Sequence, residues 1–219
     1  MVNAEIDMND FNDACYQIIK RAFDILFSAG VIALSILPGA ALSAVIAIQS
    51  RGYPFYTQER VGKGGKLFQL YKFRSMVADA DCVEKYLSPE QLKQWDLERK
   101  VDDDPRITVV GQFMRKTSID ELPQFINVLK GDMSIIGPRA ITKHELDMWF
   151  TEAQKKALLS VPQGITGWWQ VQRRNEATFE SGERQELELW YVQHASLPVD
   201  LRIFVGTFST MFGNSQSGR

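Results

Sequence analysis

After Asp24 the chain runs ILFSAGVIALSILPGAALSAVIAI, residues 25–48, 24 positions without a charge. A helix rises about 1.5 Å per residue, so the run is longer than the roughly 30 Å of bilayer hydrocarbon. Pro38-Gly39 falls near its middle. Proline removes an amide donor and crowds the preceding turn, while glycine adds backbone freedom, so a bend is expected there. Limbs 25–37 and 40–48 would then each be too short to cross. Lys20 and Arg21 flank one end; Arg51, Arg60, Lys63, Lys66, Lys72 and Arg74 follow the other, against the single acid Glu59. Both ends thus carry the cytoplasmic charge signature, which favours a re-entrant hairpin over a straight span. A cleaved signal peptide fits less well, because the acids Glu5, Asp7, Asp10 and Asp13 stand where a basic start belongs. A hairpin buried in a soluble core is the remaining alternative.

Beyond this run the pattern shortens. Residues 53–76 alternate apolar and polar side chains around GKGGK and predict a β-hairpin or a pair of extended segments. Ser88-Pro89 with Gln91 predicts a helix to about residue 100. Leu122, Phe125, Ile126 and Leu129 recur at helical spacing and stop at Gly131, a natural C-cap. MSII (133–136) reads as a buried strand or turn, 143–159 as one amphipathic helix, and GITGWWQV (164–171) as a tight-turn segment with paired tryptophans. Near the end, Leu201, Phe204, Val205, Phe208, Met211 and Phe212 form a stripe that core packing and interfacial binding explain equally.

Composition narrows the chemistry. With 219 residues, 45% of them hydrophobic and 24% charged, the chain can bury one domain core. A net charge of −2 argues against a general nucleic-acid binder, which needs an excess of lysine and arginine to displace counterions. Cys15 and Cys82 are too few for a disulfide framework or a four-ligand zinc site, and His144 and His194 leave little material for histidine chemistry.

The octet SIDELPQF (118–125) sets Asp120 and Glu121 side by side. Ser118-x-x-Glu121 fits a capping box, a purely structural use of the acid. Pro123 is tolerated only near a helix start, which places both acids in the first turn, where free N–H groups and the helix dipole favour anions. Arg115 and Lys116 lie just upstream and Gly137-Pro138-Arg139 supplies another cation. Two carboxylates among cations at a helix start are the parts needed to handle phosphate through a hard divalent cation. DDDPRIT (102–108) invites a metal too, but aspartates before proline more often make a turn, with Asp104 orienting Arg106.

In order, KRAFD before the apolar run, FYTQERVGKGGKLFQLYKFRSM, DPRIT, SIDELPQFINVLKGDMSIIGPR, GITGWWQV and LELWYV with PVDLRI resemble the bacterial monotopic phosphoglycosyl transferases, over about Lys20 to Phe212. The resemblance implies an α+β fold: a small, mostly helical catalytic domain with short β-hairpin elements (51–219), a polar leader (1–19) and an N-terminal re-entrant membrane helix-break-helix (20–50) broken at Pro38. It implies transfer of a sugar-1-phosphate from a UDP-sugar to polyprenyl phosphate through a phospho-aspartyl intermediate on Asp120, with Mg²⁺ held by Asp120 and Glu121. Arg115 and Arg139 would bind phosphate, and Lys72, Arg74 and Arg174 phosphate or nucleotide. Expected partners are the UDP-sugar, the polyprenyl phosphate and membrane lipid, with homodimerisation left open and no nucleic acid. The expected location is the bacterial cytoplasmic membrane, catalytic domain on the cytoplasmic face. A non-catalytic membrane scaffold and a lipid-independent nucleotide-sugar hydrolase are the rival functions. The chain departs from the family pattern at Leu37, where serine is common, at Ala140 and Gln163, where proline is usual, and at Arg173, where glycine is.

Overall fold

In the computed structural model, residues 8–98, 101, 103–173 and 177–212 are described. The apolar run lies within α1 (Met8–Ser50), a helix of 43 residues that contains Pro38. The expected helix-break-helix is therefore one continuous helical stretch, and it begins well inside the segment read as leader. A proline costs a helix one hydrogen bond and one local clash. Two hydroxyls support the turns around it: Ser35 donates to the Ile32 carbonyl at 3.1 Å and Ser43 to the Gly39 carbonyl at 2.7 Å. Leu34 and Leu37 are each 82% exposed, so the middle of α1 offers bare apolar surface. Among the described residues, α1 is the one helix long and apolar enough to cross a membrane.

The two ends of α1 behave differently from its middle. Arg21 donates to the Val128 and Leu129 carbonyls at 2.7 and 3.0 Å, and Asp24 accepts from the Ile135 amide at 2.9 Å. Lys20 pairs with Asp200 at 2.7 Å. At the far end Gln49 accepts from the Val110 amide and the Ser50 carbonyl from the Ala78 amide.

The predicted hairpin forms from β1 (Phe55–Val61) and β2 (Leu67–Phe73), antiparallel, with Phe55 opposite Phe73 and Val61 opposite Leu67. α2 (Pro89–Glu98) starts as expected, with Ser88 and Gln91 capping each other reciprocally. α3 (Val109–Thr117), an amphipathic helix that the sequence reading did not include, is capped by the Thr108 hydroxyl. It crosses the end of the hairpin so closely that a Cβ at Gly111 would collide with the Ser75 carbonyl.

α4 (Gln124–Lys130) ends at Gly131, whose φ of 85° is the left-handed geometry that glycine adopts without strain. β3 (Ser134–Ile136) follows. The helix expected over 143–159 is two, α5 (Lys143–Trp149) and α6 (Glu152–Leu158), each opened by a complete capping box, Thr142 with Glu145 and Thr151 with Gln154. β4 (Gly164–Thr166) pairs in parallel with β3. α7 (Trp168–Arg173), α8 (Glu183–His194) and α9 (Leu197–Phe212) complete the chain.

Leu70, Val128, Ile135, Ile136, Tyr191 and Ile203 are all buried in one core around β3, and Phe27 of α1 packs onto it between Phe125 and Phe204. This part of α1 is therefore built into the core. On α9, Leu201, Val205 and Phe208 face outward at 65%, 58% and 45% exposure, while Phe204 packs against the core, so half of the predicted stripe is available to an interface and the side chains of Met211 and Phe212 lie outside the described residues.

Candidate active site

Ser118 ends α3 in the left-handed region, with φ 57°, and its hydroxyl makes no cap to the turn that follows. The capping box expected from Ser118 and Glu121 is thus absent. The physical reason is local: the residue that must stop α3 cannot also hold the extended backbone that an N-cap requires. Asp120 and Glu121 occupy a separate 3₁₀ turn, Ile119–Glu121, and α4 begins only at Gln124. The acids sit just before that helix rather than within its first turn.

Freed from capping, Glu121 pairs with Lys72 of β2 at 3.0 Å. Asp120 is 9% exposed. Burial raises its carboxyl above the usual carboxylate range; the neighbouring Glu121 charge adds to the rise, and Lys72 and Arg115 oppose it. Arg115 is carried in by α3 and donates through Nε to the Ser75 hydroxyl at 2.9 Å. Burial lowers its pKa, while the Asp120 charge works to keep it protonated. Arg139 leaves the β3 end, its amide donating to Glu188 of α8 at 3.0 Å. A cleft joins Lys72, Glu121 and Gln124 with Arg139 and Arg60. The close meeting of strands that holds Arg139 there requires glycine, since a Cβ on Gly137 would run into the Pro162 carbonyl.

Of the residues read from the sequence, Asp120, Glu121, Lys72, Arg115 and Arg139 come together. Arg74 turns away, its guanidinium spent on the Tyr53 and Ala78 carbonyls at 2.7 and 3.4 Å and lying over the Tyr56 ring. Arg174 lies outside the described residues. Arg60 was missed: it is buried and bonded to the Ala140 carbonyl, to Gln58 and to Glu145 at 3.0 Å. Also unforeseen were Arg184 and Glu188, whose spacing of four inside RQELELWYV puts both on one face of α8. Asp104 and Arg106 pair closely, at 2.6 and 2.8 Å, as the turn reading expected, while Asp102 lies outside the described residues. Of the four departures from the family pattern, Leu37 is exposed on α1 and the other three lie within the domain, Gln163 with its Oε1 buried and unpartnered. Ala140 is buried, Gln163 is fully buried and donates to the Leu158 carbonyl, and Arg173 pairs with Glu183 at 3.2 Å. A roomier hollow, about 280 Å³, lies elsewhere, on the hairpin side by Tyr71, Lys130 and Asp132.

Two hard carboxylate donors suit Mg²⁺, which takes one or two protein carboxylates and completes its shell with water and substrate oxygens. No cluster of three or more acidic, histidine or cysteine ligands occurs among the described residues, so such an ion would rest on Asp120 and Glu121 alone.

Buried Asp120 and half-buried Glu121 thus stand among the charges of Lys72 and Arg115, in a turn whose Ile119 packs with Leu42 and Ile46 of the apolar helix α1. The chain belongs to the bacterial sugar transferase family, whose profile matches residues 15–214. It is 42% identical to the undecaprenyl-phosphate galactose phosphotransferase of Salmonella typhimurium over 86% of this chain and 39% of that protein. It is 38% identical to the UDP-galactose-lipid carrier transferase of Erwinia amylovora over 88% of this chain and 40% of that protein. The exopolysaccharide production protein ExoY of Sinorhizobium fredii is 39% identical over 87% of this chain and 84% of its own length. The chain thus spans about two fifths of the first two relatives and most of the third.

Proposed function

We propose that this protein transfers a sugar-1-phosphate from a UDP-sugar to polyprenyl phosphate by two displacements at one phosphorus. A carboxylate oxygen of Asp120 attacks the β-phosphorus, the bond from that phosphorus to the bridging oxygen breaks, and UMP leaves with the electron pair. A phosphate oxygen of the lipid then attacks the same phosphorus, expelling the Asp120 carboxylate and forming the polyprenyl diphosphate sugar. The observation that carries this reading is the convergence of Asp120 and Glu121 with Lys72, Arg115 and Arg139. A carboxylate is a weak nucleophile that must approach an anionic diphosphate, and these cations offset the repulsion and stabilise departing UMP. Mg²⁺, held by Asp120 and Glu121, would supply further charge neutralisation when bound.

We read α1 as re-entrant, with the site on the cytoplasmic face. In support, residues 20–24 and 49–50 are held by the same polar domain, which a membrane cannot divide. A straight crossing between those ends, about 40 Å at helical rise, would separate them. With Cys15 and Cys82 replaced, cysteines placed at 10 and 60 should both resist labelling from outside; labelling of one alone indicates a full span. The chemistry is tested by UMP release from a UDP-sugar. Release should require polyprenyl phosphate for turnover and should vanish in Asp120→Asn; lipid-independent turnover would make the protein a hydrolase.

A further inference from the structure

Three N–H donors near the cleft are buried without a hydrogen-bond partner: Nε of Arg60, Nε of Arg184 and Nε1 of Trp169. Folded proteins leave few such groups, because each forfeits its bonds to water. The Arg184 guanidinium lies 3.9 Å from the centres of both the Trp169 and Phe179 rings, and Arg139 shares the Trp169 ring at 5.8 Å. The Arg184 side chain makes no hydrogen bond or ion pair with any described residue. Its charge is felt by Glu188, yet one Glu188 oxygen, Oε1, is itself buried and unpartnered. Three arginines, Arg60, Arg139 and Arg184, therefore face two acids, Glu145 and Glu188, and burial holds Glu188 toward its neutral form. Unpaired donors, surplus positive charge and aromatic rings that fix one guanidinium in place suit an oxyanion.

We propose that Arg184, beside Arg139 on Trp169, forms a subsite for a phosphate monoester, adjoining the dyad cleft. This deepens and rests on the transfer reading above, because the two phosphate monoesters of that reaction are the nucleotide leaving group and the lipid acceptor. Arg139 and Arg60 line the cleft that contains Glu121, so a phosphate held by Arg184 stands next to the reacting centre. Trp169 and Phe179 are covered by the guanidinium and are not the platform for a base.

The test is equilibrium binding of UMP, uridine and a short-chain polyprenyl phosphate to the full-length protein in detergent, compared with Arg184→Gln and Arg184→Lys. Arg184→Gln should weaken binding of at least one phosphate roughly 10-fold or more, as expected for losing a charge-assisted hydrogen bond, and leave uridine unaffected. Loss for UMP alone assigns the subsite to the nucleotide, loss for the lipid alone to the acceptor, and loss for both to a shared phosphate position. Unchanged affinity for both phosphates in a variant that melts with the parent overturns the proposal. Should Arg184→Gln fail to fold, Arg184→Lys decides: it keeps the charge over the rings but loses Nε and the planar fork, and unchanged binding there is equally fatal. A parent that binds neither phosphate overturns both readings, whereas Asp120→Asn that still turns over, with binding dependent on Arg184, overturns only the covalent one.

Discussion

Asp104 with Arg106 and Asp120 with Arg115 use the same ingredients to opposite ends. Asp104 accepts from the Arg106 amide, Nε and Nη2, and Arg106 also reaches the Ala80 carbonyl and lies over Trp95. Though burial works against it, those bonds hold the Asp104 carboxyl below its ordinary range. Asp120 is as deeply buried, yet its carboxyl is raised, and Arg115 spends its Nε on Ser75. The closed pair fits a structural role, and the open one fits the proposed reaction. Perturbation left uncompensated inside a cleft marks a site more reliably than acidity alone.

The contrast can be broken at four points. Asp120→Asn should lower lipid-dependent UMP release by on the order of 10⁶-fold, the scale seen when a covalent nucleophile is lost, with the fold retained. If release stays within tenfold, the open pair is not the reacting one. Asp104→Ala should instead cost stability, about 3–5 kcal/mol, because Arg106 is left as an uncompensated buried charge. Thermal unfolding in detergent measures it, and a loss under about 1 kcal/mol would show that the closed pair is not structural. Lys72→Met should reduce kcat/KM by roughly 10- to 100-fold, since it removes one charge-assisted contact beside Glu121.

The smallest effect sharpens the comparison most. Asp120 holds its proton above its unfolded pKa, so between about pH 4 and its folded pKa the native state binds more protons than the unfolded chain. Metal-free protein therefore loses this contribution as pH rises through that window, and Asp120→Asn removes the loss. Asp104 has the opposite sign: its stabilisation is present above the ordinary carboxylate pKa and disappears as the solution is acidified through the depressed one. Melting curves against pH, with chelator, for Asp120→Asn and Asp104→Asn should diverge in those directions.

These two pairs also show where the sequence was readable. DDDPRIT could be read as a turn with Asp104 on Arg106 because both partners lie two residues apart. The use of SIDELPQF as a cap failed because Ser118 also terminates α3, a short, strongly amphipathic helix with Val110 and Met114 toward the core that the sequence reading passed over. The hairpin, the Gly131 stop and the Ser88 cap were legible because each rests on neighbours in the chain. The division of 143–159 was written locally too, in two capping boxes, but an apolar stripe continuous across both helices concealed it. Arg60, Arg184 and Glu188 could not be found locally. Their importance comes from β1 and α8 each meeting the Arg139 loop, in contacts that span 80 positions of chain from Arg60 to Ala140 and 49 from Arg139 to Glu188.

Arg21 and Asp24 bind the last turn of α4 and the amide of β3, and Phe27 fills the gap between Phe125 and Phe204. Cutting the chain at Arg51 to obtain a soluble enzyme would therefore strip out a wall of the interior and unfasten the strand that leads to Arg139. Efforts to free this protein from detergent should keep residues 16–28 and redesign only the bare apolar surface around Leu34 and Leu37.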